Sequence, residues 1–505
     1  MSAQLSRKIL SSVAGNSISV PDEAYFSLPE KVLQFGTGVL LRGLPDYFID
    51  KANKKGIFNG RIVVVKSTGN GSADEFSVQD GLYTHCVKGF EAGDTVSEWH
   101  VNASISRVLS AQAQWNEIIA CAANPFMELV ISNTTEVGIQ LVKESIHDHP
   151  PTSYPAKLLA FLYKRYQVFN GDADKGMVII PTELIPDNGT KLKNILIELA
   201  AYNELEEAFI SWLKEHNECC NSLVDRIVPG KLPAIQQQAA EKELGYKDDL
   251  MIMSETYRLW AIESSSVKAK NVLSFAYADE GVVIAPSINK FRELKLRLLN
   301  GSHTFTCGLA YLAGFPTVKE AMDNEGFSTF IEQLMKTEII PSIVSDEITP
   351  GEAEQFANSV LDRYRNPFIE HQWISITMEY SSKMKMRCIP VLLAYCDKFN
   401  TLPSLMTAGF AAHLQFMKSI GKDGEKHMGT CYGKTYVIND SNATVYATAW
   451  NGEDNQGTVN KILSDTALWG LDLTQLSGFK DMIVENLNLI QNIGVKSILQ
   501  SVKIS

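Results

Sequence analysis

Between residue 30 and about residue 285, short runs of consecutive apolar residues alternate with longer stretches in which apolar residues recur every three or four positions. The runs KVLQFG (31–36), RIVVVKS (61–67), MELVISNTT (127–135) and GMVIIPTE (176–183) have the length and β-branched content of buried strands. Helical stretches between such runs predict a parallel sheet covered on both faces. YTHCVKGF (83–90) and ASISRVLS (103–110), on either side of the turn EAGDT, read as an antiparallel hairpin added to that sheet.

From about residue 286 the period changes from continuous apolar runs to long helical spacing, as in INKFRELKLRLLNGSHTFTCGLAYLAG (288–314) and GEAEQFANSVLDRYR (351–365). One exception is GKTYVINDSNATVYATAW (433–450), where Tyr436, Val437 and Ile438 and then Val445 and Tyr446 flank the turn residues Asn439 to Asn442 and predict a small hairpin. The expected fold class is therefore α/β: a parallel-sheet domain over residues 1–285, then a mostly α-helical domain over 286–505. A length of 505 residues suits two cores.

Composition is ordinary for a globular chain, and the net charge of −12 is dispersed, with no run of five like charges. A nucleic-acid stripe or polybasic membrane patch is not expected, and an anionic ligand would need a local group of bases. No apolar run nears the ~18 residues of a membrane span, and the N-terminus lacks the apolar stretch of a secretion signal, so the expected location is cytoplasmic. The eight cysteines form no Cys-x-x-Cys pair and the nine histidines no His-x-x-x-His pair. Neither a disulfide framework nor a catalytic metal is expected.

The strand KVLQF runs directly into Gly36-Thr37-Gly38 and then VLLRGLPDYFIDKAN, a helical pattern. Glycines at a strand-to-helix turn let a pyrophosphate approach the backbone, which predicts a Rossmann-like dinucleotide site. The usual third glycine is replaced by Leu41, with Gly43 two positions on, and Arg42 is placed to reach the phosphates or to decorate the helix. At the end of RIVVVKS, Lys66 stands where an acidic residue would bind the adenosine ribose, leaving NAD or NADP open.

In ELKLRLLNGSHTF, α-helical spacing of ~100° per residue puts His303 about 80° and Asn300 about 140° around the axis from Lys295. An ammonium, an amide and an imidazole along one wall suit ketone reduction, which needs a proton donor and hydrogen bonds to the developing alkoxide. A dinucleotide-binding sensor, the rival from another class, would need the glycine turn but no proton donor.

Five segments in order, QFGTGVLLRG (34–43), SNTTEVGI (132–139), PTELIPDNG (181–189), LVDRIVP (223–229) and KLRLLNGSH (295–303), resemble the polyol-specific long-chain dehydrogenase/reductase family over most of the chain. The resemblance implies NAD as cofactor, a small-molecule substrate and metal-free catalysis. It implies Asn133, Thr134 and Glu136 beside the nicotinamide ribose, Asn188 near the reacting carbonyl, and Asp225 in the active site. Lys295 is implied as general acid/base, with Asn300 and His303 on the substrate oxygen. Within the family, TTEVGI, SETYRLWAIE (254–263) and SSKMKMRCIP (381–390) resemble the members that act on keto-uronates, with fructuronate and mannitol or arabinitol enzymes as alternatives. Lys383, Lys385 and Arg387 would then supply the charge that a carboxylate requires.

Overall fold

The computed structural model describes residues 3–13, 18–67, 74–134 and 137–501. The chain divides into two units, Met1–Gly89 with Thr95–Ile288, and Phe90–Asp94 with Asn289–Ser505.

The first unit is organised by a six-stranded sheet: β1 (Glu30–Phe35), β2 (Arg61–Lys66), β3 (Ile105–Ser110), β4 (Leu129–Ser132), β5 (Val178–Pro181) and β6 (Glu218–Cys219). All five pairings are parallel and the spatial order is β3-β2-β1-β4-β5-β6, the order of a dinucleotide-binding doubly wound sheet. Strand alternation sends Leu33, Phe35, Val63, Val65, Val130 and Ile179 into one core and Val32, Ile62, Val64, Leu129, Ile131 and Val178 into another. Helices Tyr154–Val168, Asn188–Tyr202 and Glu207–His216 close the first core, while Pro45–Lys54 packs on the second. Burial on both faces is why these strands read as unbroken apolar runs.

The expected hairpin is real only in its first strand. Tyr83–Glu91 is followed by Asp94–Asn102, and both lie in a separate four-stranded sheet with Ile18–Ser19 and Ile252–Ser254. ASISRVLS instead supplies β3, parallel to β2, with Ile105, Val108 and Leu109 buried. The polar, exposed DTVSEW carries no period-two signal, which hides the true partner strand.

The segment LVDRIVP finishes the strand Ser222–Asp225 and then grips the end of the first helical turn after β1. Arg226 Nη1 donates to the Gly43 carbonyl at 2.7 Å. A Cβ on Gly43 would lie 2.8 and 2.9 Å from the two Val228 methyls. Gly43 thus does the packing work of the missing third glycine, two positions late.

The second unit is mainly helical. Its leading helix runs without interruption through Asn289–Leu294, the π-helical turn Lys295–Gly301 and Ser302–Leu312. Pro350–Tyr364 begins with a reciprocal capping box between Thr349 and Glu352. Further π-turns follow the first, Leu334–Ile339 and Met384–Cys388, the latter separating Tyr380–Lys383 from Ile389–Phe399. A small antiparallel sheet is formed by Gly421–Asp423, Lys426–Cys431 and Lys434–Val437. The second arm expected for that hairpin is a helix, Ala443–Trp450, because Ala443, Tyr446 and Ala449 are buried at helical spacing and Tyr446 bonds His413. Among the described residues no helix is long and apolar enough to cross a membrane.

The Gly43–Val228 contact has a direct test in urea unfolding. Gly43→Ala should cost ~1–3 kcal/mol by overpacking, and Val228→Ala in the same chain should recover part of that cost. If the two losses simply add, the close approach is not what selects glycine there.

Candidate active site

The turn after β1 lies where the strand order reverses, with β1 and β4 adjacent. Ligands of open α/β sheets bind outside the carboxyl ends of the strands at such a point. Gly36 has φ +125°, and a Cβ there would sit 2.8 Å from the Asn133 carbonyl oxygen and 2.9 Å from Leu41 Cδ1. Leu41 therefore closes the turn from below. Gly38 is the opposite case: a Cβ would meet nothing within 4 Å, so its backbone is open to an approaching pyrophosphate. The residues fit a dinucleotide, with Thr37 between the two glycines. Gln34, fully buried, donates to both the Gly36 carbonyl and Asp46, each at 3.4 Å.

Arg42 is not among the residues that face outward. Its guanidinium is buried between Phe76 and Tyr83, donates to the Leu250 carbonyl at 2.6 Å, and has its pKa lowered by burial. Lys66 ends β2 opposite Ser110 with its side chain half-buried.

The loop after β4 is held by a residue that sequence reasoning missed. Glu183, buried after β5, accepts from the Thr134 backbone N–H at 2.8 Å and hydroxyl at 2.9 Å through Oε1, and from the Ser132 hydroxyl through Oε2. Asn133 donates from its amide to the Thr182 carbonyl and hydroxyl. Glu183 stands inside the PTELIPDNG motif, yet nothing in its spacing distinguishes it from an exposed loop acid. Glu136 lies outside the described residues.

Asn188 is spent within the fold. Its amide donates to the carbonyls of Pro181, Glu183 and Ser222 at 3.0–3.1 Å, and its oxygen accepts from the N–H groups of Gly189 and Ser222. No polar atom is left for a substrate carbonyl, so Asn188 is a staple between β5 and the next strand rather than a substrate contact. Asp225 is buried at the end of the strand Ser222–Asp225, opposite Leu259.

In the second unit, the π-turn alters the geometry expected of Lys295, Asn300 and His303. Its hydrogen bonds run between residues five apart, so Asn300 closes the turn that Lys295 opens and shares its face, where an α-helix would have separated them by about 140°. Side chains satisfy the carbonyls that the wide turn displaces. Tyr364 Oη bonds the Leu299 carbonyl at 2.9 Å and the Ser302 hydroxyl at 2.8 Å, and Thr304 Oγ1 donates to the Asn300 carbonyl. The Asn300 amide is partly exposed and has no hydrogen-bond partner among the described residues.

His303 is buried and lies flat on Tyr364, ring centroids 4.1 Å apart at 13°. Its Nε2 is buried with no hydrogen-bond partner among the described residues. Burial, followed by the fields of His371, Arg363, Arg387 and Lys383, holds its pKa well below the ordinary value, so the ring is neutral.

The expected basic trio divides. Lys383 and Arg387 reach the His303 surroundings, Lys383 donating to the Ile376 carbonyl at 2.9 Å and Arg387 to Thr304 Oγ1 at 3.3 Å. Lys385 points elsewhere, to the Ala467 carbonyl at 3.3 Å and the surface near Gly470. On a helix widened by a π-turn, alternate residues take different faces. His371, edge-on to His303, and Arg363 also lie near that ring, and no motif announces them because they come from the end of one helix and the loop after it.

Comparison with known proteins agrees with this architecture. A family profile described as the Mannitol dehydrogenase Rossmann domain matches residues 30–274, and one described as the Mannitol dehydrogenase C-terminal domain matches 287–491. Altronate oxidoreductase of Bacillus subtilis (strain 168) is 36% identical over 481 residues, covering 94% of this chain and 96% of the relative. Altronate oxidoreductase of Klebsiella pneumoniae (strain 342) is 37% identical over 481 residues, with the same coverage. The Pseudomonas fluorescens mannitol 2-dehydrogenase structure, a ternary complex with NAD and D-mannitol, aligns with a TM-score of 0.67 at 20% identity, covering 98% of this chain and 99% of that one. A substrate-free D-sorbitol dehydrogenase aligns at 0.78 and 19% identity over 98% and 100%. With both domain profiles matched in order and relatives of more than one-third identity along nearly its whole length, the chain belongs to the mannitol dehydrogenase family.

Proposed function

We propose that the protein is an NADH-dependent oxidoreductase that interconverts tagaturonate and altronate. The observation that carries this reading is the gathering of Lys383 and Arg387 beside the Lys295, Asn300 and His303 helix, a cationic setting that suits a sugar acid and that a neutral polyol does not need. The names of the relatives support the same substrate. The coarser activity, oxidoreduction of a polyol or sugar acid with a nicotinamide dinucleotide, follows from family membership and the sheet order.

Gly36, Thr37, Gly38, Lys66, Asn133, Thr134 and Glu136 are assigned to the cofactor. NAD rather than NADP follows the family's use. When bound, the nicotinamide supplies or accepts the hydride. Lys295 gives a proton to the nascent alkoxide oxygen and takes it back in the oxidative direction. Asn300 offers its uncommitted amide N–H to that oxygen. Neutral His303 offers one ring N–H without competing for the proton. Asp225 is assigned to the active site by its motif. Arg42, Asn188 and Lys385 are assigned structural roles: Arg42 is buried against Phe76, Tyr83 and the Leu250 carbonyl, the Asn188 amide is fully engaged within the fold, and Lys385 points away toward the Ala467 carbonyl.

Two experiments test the assignment. Gly38→Val should raise the NADH Kd by at least about tenfold in a fluorescence titration, with little change in thermal midpoint because a Cβ at this position meets no protein atom within 4 Å. Unaltered NADH affinity in a folded variant would remove the turn from the cofactor site. Lys295→Ala should lower kcat ~10²–10⁴-fold while leaving NADH affinity close to wild type, and small primary amines should restore part of the rate. Near-native turnover without Lys295, or activity abolished by a chelator and restored by zinc, would contradict the lysine mechanism.

A further inference from the structure

His371 has no part in the family motifs, yet it stands against His303. Its ring meets His303 edge-on, centroids 5.3 Å apart at 88°. The backbone around it is fixed: the His371 carbonyl accepts from Val318 at 2.9 Å, Trp373 N–H donates to the Pro316 carbonyl at 3.0 Å, and Thr317 and Gln372 form an antiparallel bridge. Despite that anchoring, neither ring nitrogen of His371 bonds any described residue. The neighbouring His303 keeps a buried, unpartnered Nε2. The buried His303 Nε2 is costly unless a ligand completes it, and the partly exposed His371 ring beside it has its nitrogens open to the same ligand.

The charges nearby identify the ligand's sign. Lys383 acts on both imidazoles and Arg387 on His303, each disfavouring added positive charge, and Arg387 reaches Thr304, one residue from His303. The same field attracts an anion. Lys383 and Arg387 each donate one hydrogen bond within the protein, while an ammonium has three N–H donors and a guanidinium five.

We propose that His371 is a specificity-determining residue that donates a hydrogen bond to the substrate carboxylate, beside Lys383 and Arg387. This rests on the keto-uronate reading and adds the residue that enforces it. A neutral imidazole N–H suits this role because it adds direction where the two cations add charge. A polyol hydroxymethyl in the same place would satisfy the imidazole but gain little from the cations.

The test compares tagaturonate with tagatose, which carries a hydroxymethyl group in place of the carboxylate. His371→Phe keeps an aromatic edge against His303 and removes the donor. It should lower kcat/KM for tagaturonate roughly tenfold to hundredfold more than for tagatose, and His371→Gln should recover part of the difference. Calorimetric titration of the NADH-loaded enzyme with altronate and with altritol, pairs that cannot exchange a hydride, should show the same selective loss without turnover. Should His371→Phe not fold, His371→Ala is read in the same way. Equal losses on both substrates, or none on either, would overturn the role of His371. A wild-type enzyme that prefers tagatose would instead overturn the keto-uronate reading, and the proposal with it.

Discussion

The Tyr364 hydroxyl bond to the Leu299 carbonyl ties the end of the helix Pro350–Tyr364 to the π-turn that carries Lys295 and Asn300. A π-turn displaces carbonyls from their usual helical partners, and a buried carbonyl without a partner costs ~1–3 kcal/mol. At Leu299 the Ser302 N–H and hydroxyl meet the carbonyl and Tyr364 adds a further bond; Tyr364 also ties the turn to Ser302 and offers the flat of its ring to His303. One side chain therefore stabilises the wide turn that aligns Lys295 with Asn300 and also supports the imidazole that completes the group. Arg297 adds a second brace, donating from the turn to the carbonyls of Met386 and Arg387 while Glu293 holds its Nε. The π-turn bearing Lys295 and the one bearing Arg387 are thus fixed to each other, which places Lys295 and the cationic group in one rigid frame.

The first unit solves a different problem, bringing backbone near a polyanion without a protein anion in the way. Three glycines share the work, with Gly36 accepting the positive φ of the turn, Gly38 staying open, and Gly43 letting the helix end meet Val228. Burial of Gln34, Asp46 and Arg42 beneath the turn is costly, and burial raises the Asp46 pKa to about 8. The carboxyl group is thereby largely neutral at neutral pH, which lets it sit close under a turn suited to phosphates.

Much of the fold is legible in the sequence because a parallel sheet buried on both faces writes itself as apolar runs, and KVLQF, RIVVV, LVIS and VIIP are such runs. The strand Ile105–Ser110 is legible as a strand but not in its pairing, since a strand's sequence carries no record of its neighbour. The helix Ala443–Trp450 reads as a strand because Thr444, Val445 and Tyr446 favour strands locally, whereas tertiary burial of Ala443, Tyr446 and Ala449 decides the outcome. At the site, Lys295, Asn300 and His303 are legible from spacing and motif, but the π-turn that aligns them is not, because it depends on Tyr364, distant in the chain. Glu183 and His371 escape for the same reason: their roles come from what the fold brings against them. Asn188, a motif residue, illustrates that a motif can mark a structural staple as readily as a substrate contact.

The proposed function requires direct hydride exchange between the nicotinamide and the keto carbon of a sugar acid. Reduction of tagaturonate by NADH deuterated on the transferred C4 position, with the product examined by mass spectrometry and NMR, follows that hydride. The expected product is altronate carrying one deuterium, at the carbon that was the ketone, formed faster than the corresponding product from tagatose. No NADH consumption, or altronate formed without deuterium at that carbon, would contradict direct transfer.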